Sequence, residues 1–182
     1  RSLTDGMAEA LLRNVMRNAR LALQKPADYD VRAEIMWAGT LSHNDITGDR
    51  SQGDWASHQL EHELGGMFDI AHGAGLAAIW GSWARYVLKQ NPCRFAQLAV
   101  NVLNVPYSFG NDEKTALEGI AAMEDFFRSI GIPTSISDME IELTDTQIKE
   151  LAHKCSFMGR RTIGGFVTLN AADMENIYRM AR

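Results

Sequence analysis

The chain has 182 residues, 46% of them apolar, which is enough for a buried core and too apolar for a disordered protein. Its 23 acidic residues outnumber the 18 lysines and arginines, and a net charge of −5 without any basic cluster excludes a nucleic-acid-binding surface. Since no apolar run approaches the roughly 20 residues of a membrane span, we also expect no membrane partner.

Apolar residues recur at helical spacing along the whole chain, with capping residues before most runs and glycine or proline after several of them. This pattern predicts eight helices: Thr4 or Asp5 to about Leu23, Asp30 through Leu41, Trp55 to near Gly65-Gly66, Ala71 to Lys89, Phe95 to Leu103, Asp112 to Ser129, Thr144 to about Phe157, and Asn170 to the C-terminus. A polar loop at 44–54 and a glycine-rich turn region at 159–168 separate some of them. Alternation of period two does not persist, so the sequence predicts an all-α helical bundle forming a single domain over 1–182.

Individual residues set several of these boundaries. Lys25-Pro26 stops the first helix, and Pro92 closes the fourth. Asp54 is placed to cap the third helix, and Thr144 to Gln147 resembles a capping box for the seventh. No GxGxxG motif follows a strand pattern, and Gly73-Ala-Gly75 alone is too short to indicate a dinucleotide site.

Two cysteines, Cys93 and Cys155, lie far apart and form no CxxC motif. We expect both to be buried thiols of a cytoplasmic protein rather than a disulfide or a metal site. The sequence has no signal-peptide pattern. It begins with Arg1 instead of methionine, so we expect it to start inside a longer protein or after processing.

Three of the five histidines, His58, His62 and His72, fall within 15 residues. His58 and His62 are four apart and share one face of a helix. On one unbroken helix His72 would lie about 21 Å along the axis from His58, too far for imidazoles that bind a metal at about 2.0–2.1 Å. The three side chains can meet only if the chain turns between them, and Gly65-Gly66 is the predicted turning point.

Two other interpretations use the same residues. His58 to His62 spells HxxEH, the inverted zinc-peptidase motif, in which both histidines bind zinc and Glu61 is the general base. That motif leaves His72 unexplained, and its distant acidic ligand would be a guess between Glu140 and Glu142. Alternatively, the domain is non-catalytic and its histidines only pack.

The segment from Asp54-Trp-Ala-Ser-His58 through His62-Glu-Leu and Asp69 to His72-Gly-Ala-Gly-Leu-Ala resembles the signature of iron-containing (group III) alcohol dehydrogenases. The likeness is strongest to their butanol dehydrogenase and aldehyde reductase branch. It extends to Tyr29-Asp-Val-Arg-Ala-Glu-Ile-Met-Trp-Ala-Gly-Thr-Leu-Ser-His-Asn44 and to the stretch from Gly164 to Tyr178, so it covers essentially the whole chain. The resemblance implies the helical C-terminal domain of such an enzyme.

The resemblance also implies a site and a reaction. His58 and His72 match the metal-binding histidines, and His62 matches a catalytic histidine beside the nicotinamide and the substrate. The implied metal is Fe2+ or Zn2+, acting as a Lewis acid in hydride transfer between NAD or NADP and a primary alcohol or aldehyde.

Parts of the family pattern are missing from this sequence. They are the Rossmann-like α/β domain with its pyrophosphate loop and the Asp-x-x-x-His segment that supplies two more metal ligands. We therefore expect the intact protein to be the dehydrogenase, a cytoplasmic homodimer, and the 182-residue chain alone to be inactive. The substrate stays open: Trp55, Trp80, Trp83, Phe68 and Met67 could line an apolar pocket or simply form core.

Overall fold

A computed structural model describes residues 2–48 and 53–182 of the chain. Eight α-helices account for most of them: α1 (Ser2–Gln24), α2 (Tyr29–His43), α3 (Ala56–Phe68), α4 (His72–Val87), α5 (Pro92–Leu103), α6 (Asp112–Ser129), α7 (Asp145–Cys155) and α8 (Ala171–Ala181). Within the described ranges there is no strand, only an isolated antiparallel bridge between Ile163 and Leu169. The all-α prediction is confirmed. The centre of the predicted 44–54 loop, residues 49–52, lies outside the described residues.

Several helix boundaries differ from the prediction, and two of the differences have a plain physical reason. Helix α3 does not end near Gly65-Gly66 but continues to Phe68. A glycine costs a helix only about 1 kcal/mol, and burial of Leu60 and Leu64 on the inner face of α3 outweighs that cost. Pro92, predicted to close the fourth helix, is the first residue of α5, a position at which proline needs no backbone N–H.

Two of the predicted caps are confirmed. Thr144 and Gln147 form a reciprocal capping box at the start of α7, and Asn170 forms a second one with Asp173 at the start of α8. Helix α2 begins one residue before Asp30 and is capped by Asp28, whose side chain accepts from the Val31 N–H at 3.2 Å.

The chain divides into two compact units, Arg1–Gly53 with Cys93–Ala122, and Asp54–Pro92 with Met123–Arg182. In the first unit α1 packs against α2. Charged and amide side chains tie α1 to α5 there, with Arg94 donating to Asp5 at 2.6 Å and Gln97 to Glu9 at 2.8 Å. A single domain over 1–182 stays a prediction.

The second unit surrounds α3, the helix that carries two of the three clustered histidines. Helix α3 packs against α4 and α7, and α8 packs against α4 and α7 in turn. The fully buried Tyr178 of α8 donates its hydroxyl to the Leu60 carbonyl of α3 at 2.6 Å. This bond fixes the middle of α3 and hence the side chains on its opposite face.

The N-cap residue of α3 is Trp55 and not the predicted Asp54, but Asp54 lies one residue earlier and still holds the start of the helix. Its carboxylate accepts from the Ala56 N–H at 2.7 Å, and from the N–H groups of Gly165 and Phe166 at 3.0 and 2.8 Å. The glycine-rich turn at 159–168 therefore docks onto the beginning of α3. Gly164 lies in that turn with a positive φ of 96°.

Neither cysteine is in a disulfide, as expected, but only Cys155 is buried. The exposed position of Cys93, in the first turn of α5, contradicts the expectation of two buried thiols. The Cys155 thiol donates to the Gln59 carbonyl at 3.5 Å, and burial raises the pKa of Cys155 to about 11.

The two thiols are expected to differ sharply in reactivity. A pKa of about 11 lowers the thiolate fraction of Cys155 at neutral pH by roughly two orders of magnitude relative to an ordinary thiol, and burial blocks access as well. Iodoacetamide should label Cys93 in the native protein and Cys155 only after unfolding, as read by peptide mass spectrometry. With Cys93→Ser as control, rapid native labelling at Cys155 would contradict the described packing.

No helix in the described part of the chain has the length and apolar character needed to cross a membrane.

Candidate metal centre

The three histidines of the cluster lie on a helical hairpin formed by α3 and α4. His58 and His62 are on α3, and His72 is the first residue of α4. The reversal takes place at Asp69, which adopts the left-handed conformation (φ 51°, ψ 48°) and donates its N–H to the Gly65 carbonyl at 2.9 Å. The turn predicted at Gly65-Gly66 is therefore wrong by three residues, because aspartate tolerates this conformation without glycine's freedom.

The hairpin brings all three imidazoles together. Their ring centroids are 5.3 Å apart for His58 and His72, 5.5 Å for His62 and His72, and 6.2 Å for His58 and His62. With metal–nitrogen bonds of about 2.0–2.1 Å, two imidazoles on one tetrahedral ion have ring centres roughly 5 Å apart. The two pairs that include His72 match this separation, so the residues fit a divalent ion.

Glu61, His62 and His72 can each offer one ligand atom to a metal ion, and these three atoms lie within 4.8 Å of one another. His58 is not in this set, although its ring is the nearest to that of His72. The geometry thus assembles the predicted residues without choosing between His58 and His62 as the partner of His72. Neither Glu140 nor Glu142, both exposed, belongs to the set among the residues described.

Glu61 is the part of the site that the sequence indicated only as the base of an HxxEH motif. Its carboxylate is buried and forms a hydrogen bond with Nδ1 of His72. An imidazole whose Nδ1 carries the proton for this bond has its lone pair on Nε2. The structure therefore links Glu61 to the first residue of the next helix, a contact that a local motif cannot show.

The environment of the cluster is half open. His62 and His72 are exposed among the described residues and His58 is partly buried, so the histidines themselves are not enclosed. Trp55 lies edge-on to His58 with ring centroids 4.9 Å apart, whereas Trp80 packs against Phe127 away from the histidines. Only Trp55 of these two aromatic candidates contacts the site.

Electrostatics favour a neutral His58. Burial lowers the pKa of His58 below its ordinary value, the nearby His72 and His62 lower this pKa further, and Glu61 acts in the opposite direction. A neutral imidazole has the free lone pair that a metal ion requires.

Comparison with known proteins identifies the family. The family sequence model for the C-terminal domain of Fe-containing alcohol dehydrogenases matches residues 1–182. The chain belongs to this family. The resemblance found in the sequence is thereby confirmed, and iron is the metal that the family is named for.

Relatives within the family are named dehydrogenases and reductases. The chain is 37% identical over 175 residues to a probable NADH-dependent butanol dehydrogenase 1 of Bacillus subtilis, covering 96% of the chain and 44% of that protein. It is 31% identical to the NADPH-dependent aldehyde reductase YqhD of Escherichia coli, covering 99% of the chain and 46% of that protein. The chain thus spans under half the length of these relatives.

Solved structures of family members share the fold. The substrate- and cofactor-free aldehyde reductase YqhD of E. coli superposes with a TM-score of 0.90 at 30% identity, covering 100% of this chain and 47% of that one. The NADH-dependent butanol dehydrogenase A of Thermotoga maritima superposes with a TM-score of 0.88 at 29% identity, covering 98% and 46%.

Proposed function

We propose that this chain is the helical, metal-binding part of an NAD(P)-dependent alcohol dehydrogenase or aldehyde reductase that acts on a primary alcohol or its aldehyde. The observation that carries the proposal is the convergence of His58, His62 and His72 at the α3–α4 hairpin in a member of this family. The names of the relatives support the reaction class, and they include both NADH- and NADPH-dependent enzymes.

In this proposal His58 and His72 are the metal ligands contributed by the chain. Their ring separation of 5.3 Å suits two imidazoles on one ion, and the lowered pKa of His58 keeps its lone pair free. Two nitrogens are fewer than the three or four protein ligands of a secure site, so further ligands come from outside this pair. Bound Fe2+ or Zn2+ would supply Lewis acidity toward an alcohol or carbonyl oxygen.

His62 has a different proposed role. It is exposed on the same face of α3 one turn beyond His58, and its ring is 5.5 Å from that of His72. From this position its imidazole can contact a substrate or a nicotinamide and can hold or accept a proton there. We assign it as the catalytic and cofactor-contacting histidine.

The HxxEH metallohydrolase is less well supported. In that mechanism Glu61 must face a water molecule as general base, yet the Glu61 carboxylate is buried and hydrogen-bonded to His72. The motif also gives no role to His72.

The proposal is tested with the intact protein. After removal of metal with a chelator, it should oxidise butanol with NAD+ or NADP+, and reduce butanal in reverse, only when Fe2+ or Zn2+ is restored under anaerobic conditions. Absorbance of the reduced cofactor measures both directions. Metal-dependent cleavage of a peptide substrate, without any nicotinamide-linked turnover, would reject the dehydrogenase in favour of the hydrolase.

A further inference from the structure

We propose that Glu61 is a positioning residue, whose carboxylate accepts the Nδ1 proton of His72 and thereby presents Nε2 of His72 to the metal. The inference rests on the proposed role of His72 as a ligand. The assignment of His58 and His72 as ligands gives no role to the buried carboxylate of Glu61, and the positioning role provides one.

Burial is the first argument. Glu61 is 2% exposed on α3, and taking a carboxylate out of water is costly unless hydrogen bonds and a compensating charge are at hand. The contact with His72 Nδ1 supplies the hydrogen bond. A metal cation held by the same imidazole would supply the compensating positive charge.

The exposure of His72 is the second argument. Its side chain is 53% exposed, so packing alone leaves the ring free to rotate. The hydrogen bond to the buried Glu61 fixes both the orientation of the ring and its tautomer. In metal sites generally, a carboxylate that accepts from the non-ligating ring nitrogen of a histidine orients the ring and raises the basicity of the ligating nitrogen.

Two glycines make room for the carboxylate, which is the third argument. A Cβ on Gly75 of α4 would lie 2.7 Å from both Cγ and Oε1 of Glu61, and a Cβ on Gly65 of α3 would lie 3.0 Å from Oε1. Glu61 is thus seated in a space that only glycines leave open. By contrast, a Cβ on Gly73, in the first turn of α4, would meet nothing within 4 Å.

The tautomer can be measured without metal. In the metal-free intact protein labelled with 15N-histidine, long-range 1H–15N spectra at mildly alkaline pH distinguish the Nδ1–H from the Nε2–H form of neutral His72. We expect the Nδ1–H form in the wild type and in Glu61→Gln, whose amide oxygen still accepts. Glu61→Ala should shift His72 toward the Nε2–H form, and an unchanged tautomer in this variant would overturn the proposal.

Metal affinity, measured by competition with a chromogenic chelator, gives the second readout. Glu61→Ala should weaken Zn2+ binding about 10–100-fold, whereas Glu61→Gln should bind close to the wild type. Gly75→Ala should also weaken binding because its methyl group displaces the carboxylate, while Gly73→Ala serves as the matched control on the same helix and should not.

Three outcomes separate failure of this role from failure of the proposed function. If Glu61→Gln loses as much affinity as Glu61→Ala, Glu61 is itself a ligand and the positioning role is wrong. If His72→Ala loses the metal while Glu61→Ala keeps full affinity, only the positioning role fails. If His72→Ala binds metal like the wild type, the ligand assignment in the proposed function fails.

Discussion

Alanine in place of His72 is expected to strip the metal from the intact protein and to abolish alcohol oxidation with it. Loss of a ligand should weaken binding well beyond the roughly 10–100-fold cost of losing a group that only orients a ligand. His58→Ala should behave alike. His62→Ala should retain the metal and lose turnover, by about 10²-fold or more if its imidazole takes part in proton transfer. Elemental analysis and steady-state kinetics on the three variants measure both effects.

His153→Ala is the matched control, because His153 is an exposed histidine on α7 and is not part of the cluster. It should keep both the metal content and the activity of the wild type. If instead His62→Ala removes the metal while His72→Ala retains it, the pair on α3 forms the site, and the HxxEH interpretation replaces the assignment of His58 and His72.

Gly164→Ala is expected to lower the free energy of unfolding by about 3 kcal/mol or more. A Cβ at this position would lie 2.1 Å from the backbone carbonyl oxygen of Val167, which cannot swing aside as a side chain would. The positive φ of 96° adds roughly 1–2 kcal/mol of strain for any residue with a Cβ. Because the next two residues bind Asp54, the turn at the start of α3 should be disturbed as well.

Gly131→Ala is the control that separates the backbone strain of a positive φ from the steric clash expected at Gly164. Gly131 has a φ of 76°, but a Cβ there would meet nothing within 4 Å, so only the strain of roughly 1–2 kcal/mol should appear. Urea unfolding followed by circular dichroism compares the two variants. Equal losses of stability would mean that the close approach of Gly164 to Val167 does not exist in solution.

Most of the fold was predictable because helices are encoded locally. The capping box at Thr144 and the Asn170 cap can be read directly, since each is complete within four residues. The end of α3 was not predictable, because Gly65-Gly66 looks like a stop until the burial of Leu64 by other helices is known. The exposure of Cys93 was missed for the same reason: a cysteine's type does not tell which face of its helix is covered.

In the site, too, the local features could be predicted from the sequence and the features that depend on packing could not. The spacing of His58 and His62 predicts a shared helix face, and the need for a turn before His72 follows from helix length alone. The location of the turn at Asp69 and the contact between Glu61 and His72 depend on how α3 and α4 pack. A signal was present in Gly75, since a glycine inside a helix with no turn to make implies a close neighbour, but the neighbour's identity required the structure.

The hydrogen bond from Tyr178 to the Leu60 carbonyl joins residues 118 positions apart. During synthesis the histidine hairpin is made before its supporting tyrosine, which follows Leu60 by 118 residues. The nascent hairpin therefore lacks this hydrogen bond until Tyr178 has emerged. We expect a translating ribosome to carry a chain with poor affinity for metal, so that loading is mainly a post-translational event.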